Sequence, residues 1–117
     1  MHRPNDAVPG SPITLTLFFS PNSAAPAGTT VQFFARPRDF NVGDPWSDTT
    51  GIDSDLVPVA GTNFYEATIV LPAAALPKEW WEILIQRTQG LTNGFTGVVK
   101  VATVDLTYTA YVVTPGS

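Results

Sequence analysis

The stretch that decides the fold runs from Asn63 to Arg87 and holds two β-prone segments separated by a proline-bracketed corner. It reads Asn63-Phe-Tyr-Glu-Ala-Thr-Ile-Val-Leu71, then Pro72-Ala-Ala-Ala-Leu-Pro77, then Lys78-Glu-Trp-Trp-Glu-Ile-Leu-Ile-Gln-Arg87. Proline donates no backbone hydrogen bond and has a fixed φ, so neither strand ladder can continue through the corner. We therefore predict two strands, between which the chain crosses from one packed sheet to another.

Both segments alternate with a period of two, which is typical of strands half-buried against a second layer. The residues predicted to face inward are Tyr65, Ala67, Ile69 and Leu71 in the first segment and Trp81, Ile83 and Ile85 in the second. Trp80, Glu82, Leu84 and Gln86 fall on the opposite face of the second segment. The two adjacent tryptophans therefore have different predicted roles, Trp81 in the core and Trp80 outside it.

Similar alternation occurs in residues 13–20, 29–36 and 98–113, and a shorter segment spans residues 54–60. Pro58 would restrict that shorter segment to a sheet edge. The run 98–113 exceeds a normal strand, so we expect a bend or break near Ala102 and Thr103. Residues 73–76 are the best candidate for a single helical turn.

About seven strands joined by Pro- and Gly-rich corners predict an all-β, single-domain antiparallel β-sandwich of the immunoglobulin-like or jelly-roll-like kind. A partly open barrel is the alternative. Residues 1–12 are predicted to be an extended N-terminal arm, residues 13–114 the sandwich domain and residues 115–117 a short tail. The irregular segment 37–53 is predicted to be the longest loop.

Composition argues against several classes of function. Ten acidic and six basic residues give a net charge of −4 with no basic cluster, so we expect no nucleic-acid binding. No run of 18 apolar residues is present, so we expect no membrane span. The first twelve residues lack the apolar segment of a signal peptide, so we expect no export. The absence of cysteine excludes disulfides and thiolate metal sites.

Catalytic and cofactor sites are not expected. His2 is the only histidine, which argues against Ser-His-Asp triads and the usual zinc sites. Glu66 and Glu82 are a formal carboxylate pair for glycoside hydrolysis, but both are predicted to face solvent. Calcium binding by the acidic loop stays open, because carboxylates suit calcium but aspartate is also common in turns. The carboxylates concerned are Asp39, Asp44, Asp48, Asp53 and Asp55.

Three aromatic residues are predicted to bind a partner or ligand: Phe40 and Trp46 in the long loop and Trp80 on the outer face. Exposed aromatics can anchor a protein interface, and they can equally stack on sugar rings. A third possibility is that Phe40 and Trp46 fold back under their own loop.

Two functions follow from these features. A short all-β chain without cysteine, with few charges and an extended arm, is similar in general character to phage capsid decoration and tail accessory proteins. We therefore predict a non-enzymatic subunit of a larger assembly, with capsid or other protein partners, a possible homo-oligomer and a virion location. The alternative is a carbohydrate-binding sandwich that stacks glycans on Trp46 and Trp80.

Overall fold

The computed structural model describes residues 1–4, 6–8, 11–45, 51–72 and 78–110, which form strands but no helix. The strands are β1 (Ile13–Pro21), β2 (Ala25–Val31), β3 (Phe33–Phe40), β4 (Ile52–Asp53), β5 (Val57–Gly61), β6 (Tyr65–Leu71), β7 (Trp80–Arg87) and β8 (Val99–Tyr108). Their ladders are antiparallel, which confirms the predicted all-β sandwich, with eight strands in place of about seven. These residues include no helix long and apolar enough to cross a membrane.

Three sheets make up the domain, in the strand orders β6-β1-β8, β4-β3-β7 and β2-β5. The inner faces of the first two sheets meet where the rings of Phe19 and Phe33 lie edge to face, with centroids 5.1 Å apart. Burial of such apolar side chains is the main stabilising contribution. The largest fully buried side chains are Phe19, Leu15, Leu17, Ile69, Leu71 and Val31.

The two strands of the stretch 63–87 lie in different sheets, as predicted. β6 pairs with β1, and β7 pairs with β3. In β6 the residues Ala67, Ile69 and Leu71 are buried, and in β7 Trp81 is buried and Trp80 is exposed. Residues 73–77, with the predicted helical turn, lie outside the described residues.

The predicted strand 29–36 is wrong, because the chain there forms two strands that belong to different sheets. β2 ends at Val31 and pairs with β5, whereas β3 begins at Phe33 and pairs with β4 and β7. Gln32 lies between them, and its side-chain nitrogen donates to the carbonyl of Ser54 at 2.8 Å. Pro58 lies opposite Thr30 in the two-stranded sheet, so β5 is an edge strand there, as predicted.

Strand β3 also continues past Pro37, where the sequence predicted a loop. Pro37 lies opposite Ile83 of β7, whereas β4 pairs only with Phe34 and Ala35. Among the described residues, Pro37 therefore lies beyond the β4 ladder, where a strand tolerates a proline more readily than within a ladder. As a result, Phe40 lies on a strand and not in the predicted loop 37–53.

Strand β8 is ten residues long and contains the predicted irregularity. Thr103 pairs with Phe18 and Val101 pairs with Phe19, so Ala102 is an extra residue in a β-bulge. After the bulge, Val104, Leu106 and Tyr108 lie on the inner face, opposite Leu17, Leu15 and Ile13.

The segment between β7 and β8 is held by the partly buried side chain of Arg87. Its guanidinium donates hydrogen bonds to the carbonyls of Phe95 and Gly97 and lies 5.6 Å from the centroid of the Phe95 ring. Burial lowers the pKa of Arg87. A Cβ on Gly97 would lie 2.4 Å from the Phe95 ring, so only glycine fits beneath that ring.

Candidate functional site

Two of the three predicted site residues lie side by side. Phe40, the last residue of β3, is directly opposite Trp80, the first residue of β7. Phe40 is half-buried, and 37% of Trp80 is exposed. Trp46 lies outside the described residues.

The aromatic pair ends a longer surface that we call the outer face of β3 and β7. It comprises Phe34, Arg36, Arg38 and Phe40 of β3 and Trp80, Glu82, Leu84 and Gln86 of β7, which occupy alternate positions in the two paired strands. Period-two alternation places these eight side chains on one side of the sheet. Arg38 and Phe40 were not predicted to share this face with Phe34, because the predicted strand ended at Arg36, before Pro37.

The outer face carries both charged and apolar side chains. Arg38 forms an ion pair with Glu82 directly across the strands. The guanidinium of Arg36 lies 5.5 Å from the centroid of the Phe34 ring, in a cation–π contact. Arg36 is exposed and has no ion pair within the described residues. Leu84 is also exposed, so the outer face combines apolar surface with a cation that has no ion pair among the described residues.

Beyond the aromatic pair, hydrogen bonds from polar side chains connect the end of β3 and the turn after it to the residues just before β7. A carboxylate oxygen of Asp39 accepts a hydrogen bond from the backbone N–H of Lys78 at 2.6 Å. Asn41 Oδ1 accepts another from the backbone of Glu79 at 3.2 Å. Asp44 Oδ2 accepts from Lys78 Nζ and from the backbone of Asn41, both at 2.8 Å. These groups therefore have structural partners already.

The charges of this network reinforce each other. Hydrogen bonds from the Asn41 backbone and from Lys78 lower the pKa of Asp44. The hydrogen bond to Asp44 raises the pKa of Lys78. Both shifts favour the charged forms, so the pair is ionised across the neutral pH range.

The described residues of the N-terminal arm contact this site from the side. Met1 and Trp81 exchange two backbone hydrogen bonds, of 2.6 and 2.7 Å, and the N–H of Arg3 donates to the carbonyl of Glu79 at 2.6 Å. His2 lies edge to face against Trp80, with centroids 5.1 Å apart, and its Nε2 is 3.0 Å from Glu79 Oε1. The arm therefore lies along the β7 edge of its own chain.

Further along the arm, Ala7 is bridged to Ala110, and the backbone N–H of Val8 donates to the carbonyl of Thr109 at 2.8 Å. Tyr108 Oη donates to Asp6 Oδ1 at 2.8 Å, and this hydrogen bond raises the pKa of Tyr108. The arm thus connects the start of β7 to the end of β8.

The carboxylates considered for catalysis and metal binding are distributed over the surface. Glu66 lies on the exposed face of β6, and Glu82 lies on the outer face of β3 and β7, so the two belong to different sheets. Within the described ranges, no three His, Asp or Glu side chains come close enough together to hold a metal ion. Asp48 of the acidic loop lies outside those ranges.

No protein-family model, curated protein or solved structure matches this chain. The arguments about its function therefore rest on the geometry of the chain itself.

Proposed function

We propose that this protein is a non-enzymatic structural subunit that docks onto protein partners in a larger assembly, and that the assembly is a phage virion. The partner contacts the outer face of β3 and β7. The observation that carries the proposal is the cross-strand pair of Phe40 and Trp80, followed along the same face by Arg36 and Leu84. Tryptophan and arginine are enriched among residues that dominate the energy of protein interfaces.

The charge on this face indicates the kind of surface that fits it. Arg38 is paired with Glu82, whereas Arg36 has no ion pair among the described residues. A protein partner with apolar side chains against Phe40, Trp80 and Leu84 and a carboxylate opposite Arg36 would complement the face. Arg36 would then form a charge-assisted hydrogen bond at the interface.

Glycan binding is the second candidate, because 37% of Trp80 is exposed and an indole ring can stack on a sugar. Sugar recognition also needs polar groups beside the aromatic ring to orient the hydroxyls. The nearby Asp39, Asn41 and Asp44 accept hydrogen bonds from the chain itself, and Arg38 and Glu82 are paired with each other. Because these polar groups already bond within the chain, a protein partner is favoured over a glycan.

Substitution of Trp80 distinguishes the two candidates. Particles assembled with the chain carrying Trp80→Ala are purified by density gradient, and the copies of the chain per particle are counted by quantitative mass spectrometry. Loss of a central interface residue typically costs at least about 2 kcal/mol of binding free energy, which weakens affinity about 30-fold. We therefore expect fewer copies of the Trp80→Ala chain per particle. Phe64→Ala is the matched control, because Phe64 is an exposed aromatic beside β6 in the other sheet.

Three outcomes decide between the candidates. Loss of occupancy with Trp80→Ala but not with Phe64→Ala supports docking through the outer face. If the chain is absent from particles and glycan titration shifts its tryptophan emission, the carbohydrate function replaces the assembly function. Equal occupancy for the wild-type chain and Trp80→Ala would show that another surface makes the contact.

A further inference from the structure

We propose that a second copy of this chain pairs antiparallel with the free edge of β8, about a two-fold axis between Ala102 and Thr103. β8 spans ten residues and forms a ladder with β1 on one side. No other strand of the described residues pairs with β8. The N–H and C=O groups on its other edge are therefore available to a further strand. This inference is independent of the outer face of β3 and β7 and goes beyond the proposed function.

Two common protections of a sheet edge are absent from β8. Proline and inward-pointing charge are common protections of a sheet edge, and β8 has no proline between Val99 and Tyr108. Its two charged residues, Lys100 and Asp105, are opposite Ser20 and Thr16 of β1, which places both on the outer surface of the sheet. The bulge at Ala102 lies next to the proposed axis. The two-fold symmetry therefore places the bulges of the two copies beside each other.

The charges select the register. Pairing about the axis places Lys100 of each copy opposite Asp105 of the other, which makes two ion pairs by symmetry. Neither residue has an ion pair within the described residues. Antiparallel registers that align Lys100 with its own counterpart, or Asp105 with its own, create repulsion. A closed two-fold arrangement also ends the assembly at two copies along this edge.

The same register brings apolar side chains together on the inner surface. Val101 lies opposite Val104 of the other copy, and Val99 lies opposite Leu106. Val101 and Val104 are 47% and 41% exposed in the single chain. They line an open groove of about 610 Å³ between β7 and β8, together with Leu17, Phe33, Ile85 and Val99. The second copy would cover this exposed apolar surface with its own valines.

A charge exchange tests the register in the full chain. Lys100→Glu and Asp105→Lys each place like charges opposite each other, and the double variant restores two opposite-charge pairs. Dissociation constants come from sedimentation equilibrium over a concentration series, because an interface of one strand edge is small and the dimer is expected to be weak. Each single variant should weaken the dimer by roughly 2- to 30-fold, and the double variant should recover most of that loss.

Glu66→Lys is the matched control, because Glu66 is an exposed charge on β6, at the other edge of the same sheet. It should leave dimerisation unchanged. A wild-type chain that stays monomeric throughout the series overturns the proposal. So do single variants that dimerise like the wild type, or a double variant that remains as weak as the single ones.

Disulfide trapping tests the same register without altering the charges, since the chain contains no cysteine. Val101→Cys and Val104→Cys chains, mixed and oxidised, should form a mixed cross-linked dimer, because directly opposite Cα atoms lie about 4.5–5.5 Å apart. Each variant alone should cross-link poorly, since identical positions are then separated by three residues, or roughly 10 Å, beyond the reach of a disulfide. Equal cross-linking in the mixture and in the separate variants would contradict this register.

The two proposals can fail separately. Loss of the dimer in Lys100→Glu with unchanged particle occupancy would support the two-fold pairing and show that it is not needed for docking. Loss of occupancy in Trp80→Ala with an unchanged dimer would support docking through the outer face alone.

Discussion

Strands β6 and β8 pair with opposite edges of β1, and both place an apolar row on the inner surface of the same sheet. The row of β6 is buried at Ala67, Ile69 and Leu71, whereas Val101 and Val104 of β8 are exposed. The difference arises because β3, β4 and β5 contact β6, whereas an open groove separates β8 from β7. Alternation thus identifies the apolar face of a strand, but a second layer decides whether that face is buried.

The largest expected effect compares two residues that are cross-strand partners. Phe19 is fully buried, and its partner Val101 is about half exposed. Phe19→Ala should lower the free energy of unfolding by about 3–5 kcal/mol, because it leaves a large cavity. Val101→Ala should cost less than about 1 kcal/mol in dilute solution, because only about half of the side chain is buried. Urea unfolding of both variants measures the difference.

Protein concentration sharpens this test. If a second copy covers Val101, the stability lost in Val101→Ala should increase with protein concentration. The stability lost in Phe19→Ala should be large even in dilute solution, because Phe19 is buried within the single chain. Equal losses of unfolding free energy for the two variants in dilute solution would mean that the groove between β7 and β8 is covered within the single chain.

The next prediction makes the same comparison within one strand. Trp81 is 3% exposed and Trp80 is 37% exposed. Trp81→Ala should cost about 3–5 kcal/mol of stability, and Trp80→Ala should cost about 1 kcal/mol, since its ring packs mainly against His2. Thermal and urea unfolding check the order. A reversed order would contradict the assignment of the two faces of β7.

A smaller loss of stability is expected when the N-terminal arm is shortened. Removal of residues 1–4 eliminates three backbone hydrogen bonds to Glu79 and Trp81. Part of that loss is offset by the regained freedom of the arm, so the net cost should be about 1–2 kcal/mol. Amide exchange at Trp81 should become faster, because its N–H loses the Met1 carbonyl.

His2→Ala is the control for the arm, because it keeps the backbone and removes only the side-chain contacts with Trp80 and Glu79. Its Trp81 amide should exchange at nearly the wild-type rate. Unchanged exchange after removal of residues 1–4 would show that the arm does not hold this edge in solution.

The smallest effect is a pH dependence of the exposed Lys78–Asp44 pair. The pKa of Asp44 is lowered from 3.8 in the folded chain, so its contribution is present above that value and is lost as pH falls through the folded pKa. The pKa of Lys78 is raised from 10.5, so its contribution is lost only as pH rises through the higher folded value. Asp44→Asn should therefore lower Tm slightly near neutral pH.

The effect of the same substitution should shrink as pH falls through the lowered folded pKa of Asp44, because the carboxyl is then protonated in both states. Asp55→Asn is the control, because Asp55 is exposed and has no ion pair among the described residues. A Tm difference that persists unchanged in acid would show that the pair does not act through its charges.

Local pattern predicted the strand character of the stretch 63–87, the opposite roles of Trp80 and Trp81, and an irregularity near Ala102. Each depends on neighbouring residues or on strand length, which the sequence displays directly. The candidate site was predicted in part. Phe40 and Trp80 were identified separately, but their cross-strand pairing was not, because it depends on the ladder of β3 with β7 across about forty residues of chain.

Two errors have a common physical cause. A single alternating pattern runs through Gln32, yet the chain changes sheets there, because the ladders with β5 and β7 outweigh local preference. Pro37 indicated a strand end, but a proline stops a ladder only on the side where its missing N–H is needed. Whether the N–H of residue 37 is needed depends on which neighbouring strand, β4 or β7, extends that far along β3. Local sequence does not reveal where those ladders end.

The sequence by itself determined the all-β class and the inward row of each main strand, because period-two alternation needs only the geometry of one extended chain. Tertiary structure alone decided which strands share a sheet, that Phe40 lies opposite Trp80, and that part of the apolar row of β8 is exposed. Those features depend on residues far apart in the chain, whose approach is governed by the packing of whole sheets.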